Sequence, residues 1–211
     1  MHRLFSLIVG LFSFATIGAA AAIAQEATPA AGLDVPSAAE CTGEPRTADE
    51  LRNLFREAAA SPGVVANASP TPAVPPAGDP ADEQTVAEIN ATWREFIACV
   101  NAGDLARLFA FLSDAKVRGD FAFDVASGAS EDDLIAYLTA TPVPLPADAA
   151  SPVFPFQDVR LLDDGRVAVV APGEQDQGEV LIFVKDGDRW LVDYQYDLPQ
   201  SSTSEAGTPT T

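Results

Sequence analysis

Residues 82–112 read DEQTVAEINATWREFIACVNAGDLARLFAFL. Apolar side chains recur there at steps of three and four residues, which places one set of them on a single helix face: Val86, Ile89, Trp93, Phe96 and Val100. Asp79 followed by Pro80 is a typical helix start, and Gly103 suits the end because glycine adopts the left-handed conformation without strain. Asp104 can then cap a short second helix with its own apolar side, formed by Leu105, Leu108, Phe109 and Leu112. The stretch therefore predicts a long amphipathic helix, a tight corner and a short helix.

Two further helices are predicted on either side of this stretch. Thr47 and Glu50 form a capping-box pattern, which predicts a short helix over 47–60. The same pattern begins at Ser130 and predicts another helix that continues through Ala140. A helix as short as the first is marginal in isolation, so we expect it to dock on the rest of the domain.

Extended segments are predicted through most of the C-terminal half. Residues 115–118 and 120–125 are predicted to be two short strands, because apolar and polar residues alternate in the second of them. Four more strands, joined by Asp-Gly or Pro-Gly turns, are predicted at 156–162, 166–171, 179–185 and 190–197. In the last strand, one buried face is expected to carry Trp190, Val192, Tyr194 and Tyr196. Helices followed by an antiparallel meander indicate the α+β class.

The N-terminus is typical of a secretory signal peptide over residues 1–24. Arg3 supplies the positive charge, an apolar run follows, and Ala22 and Ala24 form a small-residue cleavage site before Gln25. We expect export by the general secretion (Sec) route and no membrane attachment after cleavage; retention as an uncleaved anchor is the alternative. Composition divides the mature chain into a disordered leader, the short helix, a Pro- and Ala-rich linker, one domain and a disordered tail, at 25–46, 47–60, 61–78, 79–199 and 200–211.

Charge and cysteine content narrow the partners and the compartment. The formal net charge of −19, without a basic patch, argues against binding to nucleic acid or to anionic membranes. Cys41 and Cys99 are the two cysteines, and an even count in an exported chain predicts a disulfide between them. Two unrelated thiols, with Cys99 packed on the helix flank, are the alternative.

The sequence lacks the residues that several common catalytic, phosphate-binding and metal-binding sites require. The single histidine, His2, lies in the leader, so the mature chain has none for a Ser-His triad, a Cys-His pair or a typical zinc site. A glycine-rich phosphate loop is missing from the sequence, and the acidic clusters lack the spacing of a calcium loop. The sequence therefore predicts neither a cofactor nor a metal site.

The order of these elements resembles the nuclear transport factor 2-like superfamily, which includes ketosteroid isomerases and SnoaL-like polyketide cyclases. The resemblance covers about 82–198 and rests on residues 96–104, the Leu- and Phe-rich second helix, the capped third helix and the final Asp-Gly-x-x-Trp strand that contains Trp190. It implies a cone, in which a curved antiparallel sheet wraps around the long helix, accompanied by two shorter helices. An apolar pocket between sheet and helix is part of that expectation.

The catalytic residues of the isomerases are only partly matched. Phe96 stands at the position of the tyrosine that donates to the oxyanion, and it has no donor. Leu181 stands about where a neutral aspartic acid would assist. The general-base position falls near Gly119, with Asp120 one residue further on. Because isomerase chemistry needs a base together with preorganised donors, the resemblance leaves Asp120 as the one weak catalytic candidate.

Three functions are therefore weighed. The favoured one is a non-catalytic module that binds an apolar small molecule in a pocket lined by aromatic and apolar residues, or that interacts with a protein: the predicted lining is Trp93, Phe96, Val100, Phe109, Tyr137, Trp190 and Tyr194. A small-molecule isomerase, cyclase or hydratase that uses Asp120 or Asp124 together with a tyrosine is the alternative. The third is an interaction domain that forms a homodimer through its sheet.

Overall fold

Helices and one antiparallel sheet make up the part of the chain that the computed structural model describes, residues 34–60, 75–156, 158–172 and 178–198. In chain order the elements are α1 (Ala48–Ala60), β1 (Asp79–Pro80), α2 (Glu83–Ala102), α3 (Leu105–Phe109), α4 (Asp114–Ala126), α5 (Glu131–Leu138), β2 (Val159–Leu161), β3 (Val167–Pro172), β4 (Gly178–Asp186) and β5 (Arg189–Asp197). A short 3-10 helix, Ala38–Glu40, precedes them. The α+β class is thus confirmed. Within the described ranges, no helix has the length and apolar character needed to cross a membrane.

The long helix α2 begins and ends with signals that the sequence displays. Asp82 caps its start, because its side chain accepts a backbone N–H three residues on, at 2.7 Å. Gly103 follows its last turn in the left-handed conformation, with φ 63°. Asp104 then opens α3 by accepting another backbone N–H at 3.1 Å. The predicted start was too early, since Asp79–Pro80 pairs with β2 instead of capping the helix.

Residues 114–126 form α4, where the sequence analysis predicted two extended segments. Ser113 caps this helix, and its buried residues recur at helical spacing: Val117, Phe121, Ala122 and Asp124. The alternation around Phe121 spans only six residues, and packing against α1 outweighs it: the Phe121 ring lies 5.8 Å from that of Phe55. Lys116 and Asp120 lie one turn apart and form an ion pair, which favours the helix further.

The sheet is an antiparallel meander in the order β1-β2-β3-β4-β5, so the four predicted C-terminal strands correspond to β2 to β5. A bulge interrupts the last pairing: Phe183 lies opposite Val192, whereas Ile182 lies opposite Tyr194. The extra residue, Asp193, accepts a hydrogen bond from the Ser113 hydroxyl at 2.7 Å. One inserted residue reverses the alternation of side chains along the strand. Even-numbered residues of β5 therefore lie on one face of the sheet before the bulge and on the other face after it.

The bulge overturns the predicted face of the last strand. Trp190 and Val192 lie in the main core, together with the alternate residues of β3 and β4. Tyr196 belongs instead to a smaller cluster on the other face with Ala168, Val180 and Ile182. Tyr194 shares that second face, because it lies directly opposite Ile182. These four aromatic and apolar positions of β5 therefore do not form one surface.

The N-terminal strap, residues 34–47, is fastened along α2. The predicted disulfide between Cys41 and Cys99 is confirmed. Arg94 of α2 forms ion pairs with Glu40, at 2.7 Å, and with Asp34. The strap leads directly into α1, so these ties fix the start of that helix.

A buried asparagine secures both the strap and a distant loop. Asn101 is 4% exposed, and its side-chain nitrogen donates to the carbonyl oxygens of Pro36, at 2.9 Å, and Ser151, at 3.0 Å. Its side-chain oxygen accepts the N–H of Ser151 at 2.7 Å. A disordered leader is predicted over residues 25–46; residues 25–33 lie outside the described residues, whereas residues 34–46 are held in place by these contacts. Composition could not reveal this, since the ties reach residues far away in the sequence.

The main core lies between the inner face of the sheet and helices α1, α2, α4 and α5. Aromatic rings fill much of it. Trp93 stacks on Phe96 with ring centroids 4.9 Å apart, and Phe109 stacks on Phe121 at 5.9 Å. The ring of Phe156 contacts that of Phe183 in β4, with the ring centroids 6.2 Å apart. Such ring pairs add to the free energy gained by burying their area.

Candidate functional site

Besides a smaller cavity of about 310 Å³ lined by residues 75–78 and by residues of β2 and β3, the described residues form an open groove of about 810 Å³. Three parts of the chain form it: the end of the strap with the first turn of α1, the α3–α4 corner, and the β4–β5 hairpin. Its lining residues are Glu44, Pro45, Arg46, Thr47, Glu50, Ala110, Ser113, Asp114, Val184, Lys185, Asp186, Arg189 and Leu191. Ala110, Val184 and Leu191 supply an apolar base, and most of the other lining residues are charged.

The groove lies beside the outer edge of β5, which ends the sheet on that side. Part of this edge is already paired: the N–H of Val192 donates to the carbonyl of Phe111 at 2.8 Å, and the N–H of Ser113 donates to the carbonyl of Val192 at 2.9 Å. Backbone groups of alternate residues in a strand point to the same side, so the N–H and C=O of Trp190 also point away from β4. Among the described residues, neither group has a hydrogen-bond partner. The edge of β5 is therefore unpaired at Trp190, which lies between the groove-lining residues Arg189 and Leu191.

Some charged side chains of the groove form hydrogen bonds or ion pairs within the chain, and others do not. Arg46 is fully engaged: it donates to the carbonyl oxygens of Phe109, at 2.9 Å, and Leu112, at 2.7 Å, and to the carboxylate of Asp114 at 2.7 Å. Lys185 pairs with a glutamate of α2 at 3.0 Å. Arg46 therefore acts mainly as a brace that holds the groove wall.

Three charged side chains of the lining have no such engagement. Glu44, Asp186 and Arg189 are exposed, and none forms a hydrogen bond or an ion pair with another described residue. Two of the three are acidic. The unsatisfied charge of the groove is therefore negative on balance, and it is open to a ligand.

A second polar feature, the Lys116 cluster, is defined by Lys116, Asp120, Asp124, Glu179 and Gln195. The Lys116 ammonium lies 2.7 Å from both carboxylate oxygens of Asp120, with these side chains 12% and 20% exposed. Burial raises the pKa of Asp120, and the charge of Lys116 opposes this rise. Asp124, one turn further along α4, is 5% exposed and raises the pKa of Asp120 as well.

Glu179 faces this cluster from β4. Burial raises its pKa from 4.5 to about 7, while the hydrogen bond from the Gln195 amide and the charge of Lys116 act in the opposite direction. Asp197 raises the pKa of Glu179 further. A carboxyl group that titrates near neutral pH is the type of group that can take up and release protons in catalysis. However, none of the cluster residues lines either of the two described cavities.

The residues predicted to line an apolar pocket are spread over the molecule. Trp93, Phe109 and Trp190 lie in the main core, with Phe96 packed against it. The remaining three lie elsewhere: Val100 against the small disulfide cluster, and Tyr137 and Tyr194 at the surface, 42% and 41% exposed. None of the seven lines either described cavity. An apolar pocket that they share stays a prediction.

The groove was missed because its parts are distant in the sequence. A weak signal did exist: the Asp-Gly-Asp-Arg hairpin carries charged residues on both sides of its turn. The Lys116 cluster would have been visible in part had 114–126 been predicted as a helix, since Lys116, Asp120 and Asp124 are spaced by four.

Metal binding is not indicated by the described part of the chain, where no group of three or more His, Cys, Asp or Glu side chains is placed to hold an ion. Comparison with known proteins gives no relative: no family model, no curated protein and no solved structure matches the chain. The groove and the Lys116 cluster are thus the two features on which a function can be based.

Proposed function

We propose that this chain is an exported, non-catalytic binding module of the nuclear transport factor 2-like type, and that its ligand occupies the groove beside β5. The groove itself carries this proposal. At about 810 Å³ it falls within the usual size range of ligand sites, roughly 300 to 1,000 Å³. Its apolar base and its three unsatisfied charges supply both contact area and directional contacts.

The family assignment is supported by the order of elements. A long capped helix, the Asn-Ala-Gly-Asp corner at 101–104, a short helix and a C-terminal antiparallel meander follow each other as the resemblance implies. The proposal includes a sheet that curves around α2 as a cone. Export is supported by the leader pattern over 1–24, which lies outside the described residues, and the Cys41–Cys99 disulfide is compatible with an extracytoplasmic location.

The surroundings of the predicted catalytic position favour binding over catalysis. Both carboxylate oxygens of Asp120 are engaged by Lys116, and Asp120 lies on neither described cavity. Phe96, at the position of the oxyanion donor, packs against the core through Trp93. Leu181 is buried in the main core. A base that is already paired with an ammonium group, and that lacks the oxyanion donors of an isomerase, is poorly suited to proton abstraction.

The test is a fragment screen by ligand-observed nuclear magnetic resonance on the mature protein, repeated with two variants. Pro45→Trp places a large ring on the groove rim, and Pro142→Trp makes the same change at an exposed proline away from both cavities. We expect fragments that bind the wild type and the Pro142 variant but not the Pro45 variant. If no fragment binds, or if every binder is indifferent to Pro45→Trp, the proposal is wrong.

An enzyme is the second candidate, and one observation favours it: Asp120 and Glu179 flank Lys116, and burial raises the pKa of each carboxyl. An acid and a base with separated pKa values could arise from such a pair. The test is a panel of ketosteroid, polyketide-like and epoxide substrates with the wild type and with Asp120→Asn. Turnover that the variant loses would establish the enzyme and refute the non-catalytic proposal.

A further inference from the structure

We propose that the groove accepts an extended peptide segment with basic side chains, which adds as a short strand to the open edge of β5 at Trp190. This inference rests on the proposed function, because it names the class of ligand that the same groove takes. Two observations support it: the unpaired backbone at one edge of the sheet, and the balance of charges in the groove.

The backbone argument begins with the two edges of the sheet. At one edge, β1 is two residues long and ends in Pro80, which has no N–H to donate. At the other edge, the 111–113 segment pairs with Val192 in parallel orientation. Before residue 111 that segment turns away into α3, so nothing described continues the pairing to Trp190. Peptides commonly bind by adding a strand to such an unpaired edge.

The groove places the required space beside that edge. Trp190 itself does not line the groove, but its two neighbours in β5, Arg189 and Leu191, both do, and so does Ala110, the residue before the paired segment. A peptide strand at this place would continue the line of residues 111–113 along β5. Only a short stretch of β5 remains before the hairpin turn at 187–188, so pairing would involve about three residues at roughly 3.3 Å each.

Charge argues for a basic peptide. The lining contains four carboxylates and three cations, but two of the cations, Arg46 and Lys185, are already paired within the chain. The side chains left without partners are Glu44, Asp186 and Arg189. In a chain with a formal net charge of −19, the long-range field also favours a cationic partner. Arg189 would meet a peptide carbonyl oxygen.

Isothermal titration calorimetry with three blocked hexapeptides tests the inference. The first alternates Lys and Val, the second alternates Glu and Val, and the third repeats the first with N-methyl groups on alternate amides, which removes the donors a strand needs. We expect the Lys-Val peptide to bind at least tenfold more tightly than either of the others. Equal binding of the N-methylated peptide would overturn strand addition, and equal binding of the Glu-Val peptide would overturn the preference for basic side chains.

A matched pair of variants locates the site. Asp186→Lys reverses a charge on the groove, and Asp163→Lys makes the same change in another hairpin turn, at an exposed residue that lines neither cavity. The first variant should weaken the Lys-Val peptide at least fivefold, whereas the second should have less than a twofold effect. Equal effects would mean that only the overall charge attracts the peptide, and the inference would be wrong. Fragments that bind at the groove while no peptide binds would refute this inference alone and leave the proposed function standing.

Discussion

Replacing Glu179 with glutamine should remove the part of the pH dependence of stability between pH 4.5 and pH 8 that this buried carboxyl contributes. The pKa of Glu179 is raised from 4.5 to about 7, chiefly by burial, so the folded state holds its proton more tightly than the unfolded state does. The contribution of this group to stability is therefore fully present below about pH 4.5. It is lost as the pH rises through 7, because folding must then keep a buried carboxylate ionised beside Asp197.

The size of the effect follows from the same values. At about 1.4 kcal/mol per pH unit, the rise from 4.5 to about 7 corresponds to a loss of roughly 3 kcal/mol across the window. Glutamine has the shape of the protonated acid and can still bond to the Gln195 amide. We therefore expect Glu179→Gln to match the wild type near pH 4.5 and to exceed its free energy of unfolding by up to about 3 kcal/mol at pH 8.

The assay is urea denaturation of both proteins at half-unit pH steps, followed by circular dichroism. The raised pKa of Asp120 and the repulsion within a strongly acidic chain also weaken the folded state as pH rises, but both proteins share these effects. The difference between the two curves therefore isolates Glu179. Parallel curves, with a constant difference from pH 4.5 to pH 8, would show that Glu179 has an ordinary pKa and refute the reasoning.

Three further predictions concern the scaffold. Reduction of the Cys41–Cys99 disulfide, which spans 58 residues, should lower the free energy of unfolding by about 4 kcal/mol; an unchanged denaturation midpoint in reductant would contradict this. Asn101→Ala should cost about 2 to 3 kcal/mol in the same assay, because it leaves one buried and two part-buried backbone groups without partners, and a loss under 1 kcal/mol would count against that role. Gly103→Ala should lower the melting temperature, since its φ is 63° and a Cβ would lie 2.2 Å from a carbonyl oxygen, whereas Gly119→Ala, with no atom near its Cβ, should not.

The parts of the fold that the sequence predicted are those with local signals. Asp104 and Gly103 mark the α2–α3 corner through a cap and a left-handed residue, and each needs only its immediate neighbours. The capping box at the start of α1 behaves in the same way, with Thr47 and Glu50 bonded to each other at 2.8 Å. The disulfide was predicted from the cysteine count and from the expected export of the chain. Such signals depend on a few adjacent residues, so no knowledge of packing was required.

The parts that were missed depend on contacts between distant residues. Helix α4 takes its conformation from packing against α1. The alternation near Phe121 was interpreted as a strand, because six residues are too few to distinguish a period of two residues from the helical period of about 3.6. The bulge at Asp193 has no marker in the sequence, since neither glycine nor proline occurs there. The groove combines residues as far apart as Glu44 and Arg189. Its open backbone edge is a property of the sheet and not of any side chain.

The Cys41–Cys99 bond also changes how the molecule would respond to mechanical force. Tension applied to the two ends of the chain passes through the disulfide and bypasses the 58-residue loop that it closes. That loop contains α1, β1 and most of α2, and its 58 residues have about 200 Å of contour length at full extension. Under oxidising conditions tension cannot extend this length, and the helices inside the disulfide-closed loop carry no load. A single reduction event would release it in one step, so the bond sets how far the molecule can be stretched.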